Sequence, residues 1–236
     1  MLIAQLNKIS VKFSESVLPV LEDVSLSIEA GEFIILLGSN GSGKSSLLKV
    51  LMGDVCPIKG RFDIASRCQR RYLGQSTKES LFHALTVYEN IVLHAQAEGA
   101  SLWKGISDTQ IAYYKDYLKA FHRHLPGRLS HPVGTLSGGE RQSLVLALAL
   151  HSQPDLFLID EHTSALDPKS ATALMELTNE FIQASPVTTV MTTHDINHAL
   201  TYGTRIIALK GGKVVLDVKE DQKKKCTRQD LLALYG

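Results

Sequence analysis

The residues best suited to chemistry are Gly38-Ser39-Asn40-Gly41-Ser42-Gly43-Lys44-Ser45, with Ser46 extending the run. They fit G-x-x-x-x-G-K-[ST] and lie between the apolar run Phe33 to Leu37 and the helix-like stretch Leu47 to Met52. A strand, a glycine-rich loop and a helix make a cradle for a polyphosphate. The glycines let backbone N–H groups turn inward, and the helix N-terminus adds free amides and a positive dipole end. Lys44 reaches the terminal phosphates, and the Ser45 hydroxyl can hold Mg2+. Such a loop needs a carboxylate from a neighbouring strand. Asp160 ends the apolar run Leu156 to Ile159, so it falls at the sheet edge, where it can hold Mg2+ through water. Glu161 follows at the same edge, placed as general base or polariser for an attacking water. Ser137-Gly138-Gly139-Glu140, at a helix start, offers a second anion site of exposed amides and one hydroxyl.

The elements that position these residues alternate. Val11 to Phe13, Val24 to Ile28 and Phe33 to Leu37 read as strands, and Arg61 to Leu73 as short edge strands. From about Ser80 the period becomes helical, through Leu85, Tyr88, Ile91, Val92 and Ala95, with a second helix over about Asp108 to His124. This lobe, about residues 80–135, ends in the breakers Pro126-Gly127 and Pro132. The core resumes with an all-round apolar helix over Gly138 to His151, a buried strand at Leu156 to Asp160, and a helix over Pro168 to Ala184. Val187 to Thr193 is a further strand, and a hairpin turns at Gly211-Gly212. Alternating strands and helices predict an α/β fold with a mainly parallel sheet, binding ligands at the carboxyl ends of its strands. Lys223 to Lys225 reads as a solvated linker, with contact to anionic headgroups as the alternative, before a capping box at Thr227.

The bulk composition narrows the class. With 236 residues, one large α/β domain has room for a well-buried core. Lys+Arg 25 against Asp+Glu 24 gives no basic footprint for nucleic acid. The sequence has no apolar run of membrane-spanning length, and its first residues lack the pattern of a secretion signal. Three cysteines without a C-x-x-C pair suggest reduced thiols in the cytoplasm.

Leu136-Ser137-Gly138-Gly139-Glu140 closely resembles the LSGGQ signature of ATP-binding-cassette (ABC) nucleotide-binding domains, with Glu140 in place of glutamine. The resemblance covers nearly the whole chain, and the motifs follow the family's order. It implies one ABC ATPase domain over residues 1–236: a P-loop core, an N-terminal antiparallel β subdomain and an inserted helical subdomain. Phe13 matches the aromatic that stacks on adenine, and Gln75 the Q-loop glutamine that touches Mg2+. Asp167, in Ser164-Ala165-Leu166-Asp167, matches the D-loop, and His194 the switch histidine at the γ-phosphate. On residue types alone, Phe13 is also compatible with a core aromatic, Gln75 with a polar loop, Asp167 with a helix N-cap and His194 with a structural histidine. The resemblance further implies ATP and Mg2+ as ligands and a head-to-tail dimer in which Ser137, Gly138 and Gly139 reach the ATP of a second copy.

Two departures stand out. Glu161-His162-Thr163 replaces Glu-Pro-Thr, giving a backbone N–H and a titratable ring close to the site. It resembles a variant in ATPases that partner permeases of the branched-chain-amino-acid type. Ser143 and Leu148 stand where arginines are frequent. The expected role is the ATPase subunit of a membrane transporter, an importer of a small solute such as an amino acid. It would lie on the inner face of the cytoplasmic membrane, bound to an integral permease and served by an extracytoplasmic solute-binding protein. Leu85 to Asn90 resembles the segment that receives a permease's coupling helix. The alternative is a soluble ABC-type ATPase of iron–sulfur cluster assembly. A chromosome or repair ATPase is disfavoured, since no sustained heptads separate Lys44 from Ser137.

Overall fold

A computed structural model of the chain describes residues 1–13, 18–75, 80–97, 107–164 and 166–234. Residues 98–106 of the expected helical lobe, and Ala165 before Asp167, lie outside the described residues. The chain divides into two compact units.

The first unit comprises Met1–Tyr72, Pro154–Glu161 and Phe181–Gly236. Strands β1 (Leu2–Val11), β2 (Leu21–Glu29) and β4 (Lys59–Ile64) form an antiparallel sheet in the order β2-β1-β4. The sequence reading started the first strand only at Val11, and the structure ends it there. The missed part has a bulge: pairing with β2 slips between Leu6 and Ile9, and Lys8 takes a φ of +49°. That slip breaks the two-residue period a strand is recognised by.

The larger sheet holds β3 (Phe33–Leu37), β5 (Arg70–Leu73), β6 (Leu156–Asp160), β7 (Thr188–Thr193), β8 (Arg205–Lys210) and β9 (Lys213–Lys219) in the order β5-β6-β7-β3-β8-β9. Strands β6, β7, β3 and β8 run parallel, and β9 returns antiparallel after Gly211-Gly212. Strands β3 and β6 are buried at every position, hence their unbroken apolar runs. Helix α1 (Lys44–Met52) buries Leu47, Leu48, Val50 and Leu51 in one core with Ile34, Leu36, Leu158 and the inner face of the smaller sheet. Arg205, 3% exposed, ties that core's edge together. It forms a bidentate pair with Asp217 at 2.6 Å, donates to Ser27 O at 2.8 Å and meets Glu32 at 3.0 Å. A buried guanidinium is tolerated because its donors find acceptors.

The second unit comprises Leu73–Gln153 and His162–Glu180. It contains α2 (Val87–Ala97), α3 (Asp108–Phe121), α4 (Gly138–His151) and most of α5 (Pro168–Gln183). The sequence reading returned the Gly138 helix to the nucleotide-binding core, but α4 groups with α3 instead. The Tyr117 hydroxyl donates to Ala147 O at 2.7 Å, and Tyr113, Tyr114 and Tyr117 gather around His151. No helix of the described residues is long and apolar enough to cross a membrane.

Candidate active site

Parallel register brings three strand ends together in the first unit. Leu37 of β3 lies opposite Thr193 of β7, and Asp160 of β6 opposite Thr192. Gly38, Glu161 and His194 are the next residues out of those strands, so one sheet edge presents all three. Glu161 is the meeting point. Its Oε1 lies 3.2 Å from Lys44 Nζ and its Oε2 lies 3.4 Å from His194 Nδ1. Lys44 is 5% exposed and also donates to Gly38 O at 2.9 Å and Ser39 O at 3.2 Å. His194 is 59% exposed, so the histidine flank of the carboxylate faces open space.

The backbone of Glu161 is unusual, with a φ of +43° in the left-handed region. For a non-glycine residue this costs about 1–3 kcal/mol and persists only where neighbours hold it. One such neighbour is Thr192, whose Oγ1 accepts the Glu161 N–H at 3.0 Å. The same hydroxyl donates to Asp160 Oδ1 at 2.7 Å, while the Tyr72 hydroxyl donates to Asp160 Oδ2 at 3.0 Å. Both carboxylate oxygens of Asp160 therefore accept from a hydroxyl. The sequence reading missed Thr192 and Tyr72. A signal was present in β7, where four threonines (188, 189, 192 and 193) are all buried and each hydroxyl needs a partner.

The loop from Gly38 to Ser46 fits a polyphosphate. A Cβ at Gly38 would stand 2.5 Å from Ser42 Oγ and 2.6 Å from Leu209 O, so only glycine allows this fold of the loop. Gly43 takes a φ of +106° and leads into α1, whose N-terminus has no side-chain cap. Amides of its first turn are thus left for an anion, the role expected of Gly41, Gly43, Lys44, Ser45 and Ser46. Ser42 Oγ is buried without a hydrogen-bond partner among the described residues. Asp160 carboxylate and Ser45 hydroxyl supply the hard oxygen donors that Mg2+ takes. Phe13 lies beyond β1 and is 38% exposed, so it is not a core aromatic. It remains available for stacking.

The remaining expected residues belong to the second unit. Gln75 is exposed at a bend after β5. Ser137 caps α4 in a capping box: its hydroxyl accepts the Glu140 N–H at 3.2 Å, and Glu140 Oε2 accepts the Ser137 N–H at 2.8 Å. Burial alone would raise the Glu140 carboxyl, but hydrogen bonds from the Ser137 amide and hydroxyl hold it below its ordinary value. The Glu-for-Gln departure therefore retains the cap. Asp167 caps α5, accepting from the Ser170 N–H at 3.1 Å, and the hydrogen bonds of Ser170 keep its carboxyl low. His162 is buried, and its Nε2 lies 3.1 Å from Thr178 Oγ1. Since Thr178 donates to Leu174 O, its oxygen accepts from His162. The ring expected near the chemistry is committed to packing on α5.

Comparisons with known proteins agree on one family. Residues 21–164 match the family model described as ABC transporter. A tyrosine transport ATP-binding protein of Clostridioides difficile is 34% identical over 227 residues, covering 92% of this chain and 90% of that protein. A phosphonates import ATP-binding protein of Alcaligenes faecalis is 34% identical, covering 84% of this chain and 76% of its own length. Among solved structures, a dimeric ATP-binding cassette in a post-hydrolysis state, bound to ADP and Pi, superposes with a TM-score of 0.72 at 29% identity. That match covers 92% of this chain and 98% of the other. The family model over most of the chain and relatives aligned along nearly all of it give one answer: the chain is a member of the ABC transporter ATP-binding family, an ATP hydrolase that takes ATP with Mg2+.

Proposed function

We propose that this chain powers an importer of a small solute such as an amino acid. It works as a head-to-tail homodimer on the inner face of the cytoplasmic membrane, beneath an integral permease supplied by a solute-binding protein. The observation that carries the hydrolytic part is the Glu161 carboxylate held between Lys44 at 3.2 Å and His194 at 3.4 Å. Glu161 takes the proton of the attacking water, His194 orients it, and Lys44 neutralises charge on the terminal phosphates. Asp160 and Ser45 would hold Mg2+, and Phe13 would stack on the base. Mg2+, when bound, spreads the charge that develops on the phosphate oxygens. The amino-acid class is favoured by the tyrosine transport relative, which aligns along nearly the whole chain.

The permease contact is assigned to the segment before α2. Asn90 is fully buried and organises it, accepting the Phe82 N–H at 2.8 Å and donating to Phe82 O at 3.1 Å and Thr86 O at 2.9 Å. This leaves Phe82, 61% exposed, at the tip of a braced loop. A buried aromatic side chain is the kind of anchor that carries much of an interface's binding energy, and Phe82 is placed to serve as one. The tagged chain, recovered from detergent-solubilised membranes, is expected to bring a permease with it. Phe82→Asp is expected to abolish that recovery while basal ATP hydrolysis continues. Recovery of soluble scaffold proteins without a permease would overturn the transport reading. Uptake of labelled amino acids by a strain lacking the gene tests the solute class.

A further inference from the structure

Asp160 and Glu161 have different tasks, yet one hydroxyl touches both. Thr192 Oγ1 donates to Asp160 Oδ1 at 2.7 Å and accepts the Glu161 N–H at 3.0 Å. Tyr72 closes the other side of Asp160 through Oδ2 at 3.0 Å. A hydroxyl has one proton to give and lone pairs to accept with, so Thr192 fills both roles only in this polarity. The geometry requires three adjacent strands: β5 brings Tyr72, β6 brings Asp160, and β7 sets Thr192 opposite Asp160 in parallel register. Asp160 and Thr192 are 3% and 2% exposed, so water does not readily substitute for either partner.

We infer that Thr192 and Tyr72 are positioning residues for ATP hydrolysis: their hydroxyls fix the Asp160 carboxylate, and Thr192 locks the left-handed backbone of Glu161 to it, so that metal ligand and general base hold one geometry. The inference rests on the roles proposed above for Asp160 and Glu161. Without the Thr192 hydroxyl, Asp160 Oδ1 and the Glu161 N–H each lose a partner in a nearly dry environment. The carboxylate of Glu161 then loses the backbone anchor that aims it between Lys44 and His194. Tyr72 acts on Asp160 alone, so its loss should weaken the metal more than the base.

Thr192→Val keeps the shape and removes the hydroxyl. In the nucleotide-free protein, hydrogen exchange at the Glu161 amide is expected to accelerate about tenfold or more, the signature of a lost acceptor. With ATP, kcat is expected to fall about tenfold while KM for ATP stays within about twofold, because the loss is confined to the transition state. Thr192→Ser should restore both. Tyr72→Phe is expected to raise, by about threefold or more, the Mn2+ concentration that half-saturates the ATP complex, read from the free-ion EPR signal. Wild-type exchange at Glu161 in Thr192→Val overturns the inference, as does fast exchange with an unchanged kcat. Unchanged Mn2+ binding in Tyr72→Phe overturns the part played by that residue. Glu161→Gln is the control that separates the two levels. If it retains turnover, the assignment of the base itself fails; if it is inactive while Thr192→Val behaves as wild type, only the inference made here fails.

Discussion

At the scale of single residues, the site depends on what Glu161 faces. An ammonium lies on one side, an imidazole on the other, and its amide is held by a threonine. A general base contributes about 100- to 10,000-fold to such a reaction. Glu161→Gln keeps the volume and one acceptor oxygen but cannot take the proton. Phosphate release is therefore expected to fall by at least about 100-fold while ATP still binds, and gel filtration with ATP should show a trapped dimer. Turnover within tenfold of wild type would move the base elsewhere. The participants in the sequence were legible where type and spacing coincide: Gly38 to Ser46, Asp160 and Glu161 need only local context. Thr192 and Tyr72 were not, because each meets Asp160 from a neighbouring strand, and the sequence does not say which strands are neighbours. His162 was read as a ring near the chemistry because adjacency in sequence was taken for adjacency in direction. A side chain one step past a strand end can as easily turn toward a helix, as His162 does toward Thr178 of α5.

At the scale of elements, the apolar runs of the core were the most legible, while α3 ends three residues before the expected His124 and β2 starts three before the expected Val24. Strand β3 and helix α4 match their sequence boundaries, because unbroken burial leaves an unbroken apolar run. Two short helices were not legible, although the capping box at Thr227 marked the last helix, Arg228–Ala233. Helix α6 (Ile196–Thr201) and helix α7 (Glu220–Lys225) have six residues each, too few for a periodic pattern. Helix α7 covers the lysine run that read as a solvated linker. Lys223 is instead 9% exposed, and its Nζ donates to Tyr202 O at 2.6 Å and Gly203 O at 2.7 Å. These carbonyls follow the end of α6, where unpaired acceptors and the negative dipole end favour an ammonium. Burial lowers the pKa of this amine from its ordinary value, so the contact is made against a desolvation cost. Lys223→Met keeps the apolar stem and removes the donors. It is expected to destabilise the fold by about 1–3 kcal/mol, seen as a lowered thermal midpoint, with ATP affinity unchanged. Lys224→Met, at an exposed neighbour whose ion pair with Asp221 is open to solvent, should be nearly neutral. Equal effects from the two substitutions would show that the carbonyl contacts add nothing.

At the scale of the whole molecule, the glycines of the signature point beyond a single chain. Gly38 is glycine because its own loop leaves no space. Gly138 and Gly139 are under no such demand. A Cβ at Gly138 would meet only Leu166 Cδ2 at 3.4 Å, one at Gly139 only Ser170 at 3.9 Å, and neither has a positive φ. Glycine within a helix costs about 0.5–1 kcal/mol relative to alanine. Two of them opening α4, where the fold itself would accept alanine, are consistent with a surface that something else must approach closely. In the proposed head-to-tail dimer that something would be the triphosphate held by Lys44 of the second copy. Each of the two sites is then built from the phosphate loop of one protomer and the signature of the other. Lys44→Ala spoils the loop in one variant, and Gly139→Asp sets a negative charge against the phosphates in another. Each variant alone should be inactive, since both sites of its dimer carry the same defect. In a mixture, every heterodimer gathers both defects into one site and leaves the other wild type. Mixing the two is therefore expected to restore ATP hydrolysis, to about a quarter of the wild-type rate if subunits exchange at random and the sites act independently. No recovery, with exchange verified by differently tagged chains, would mean that the signature serves the ATP of its own chain or that neither site turns over alone. A Gly139→Asp homodimer with wild-type activity would remove the signature from the reaction.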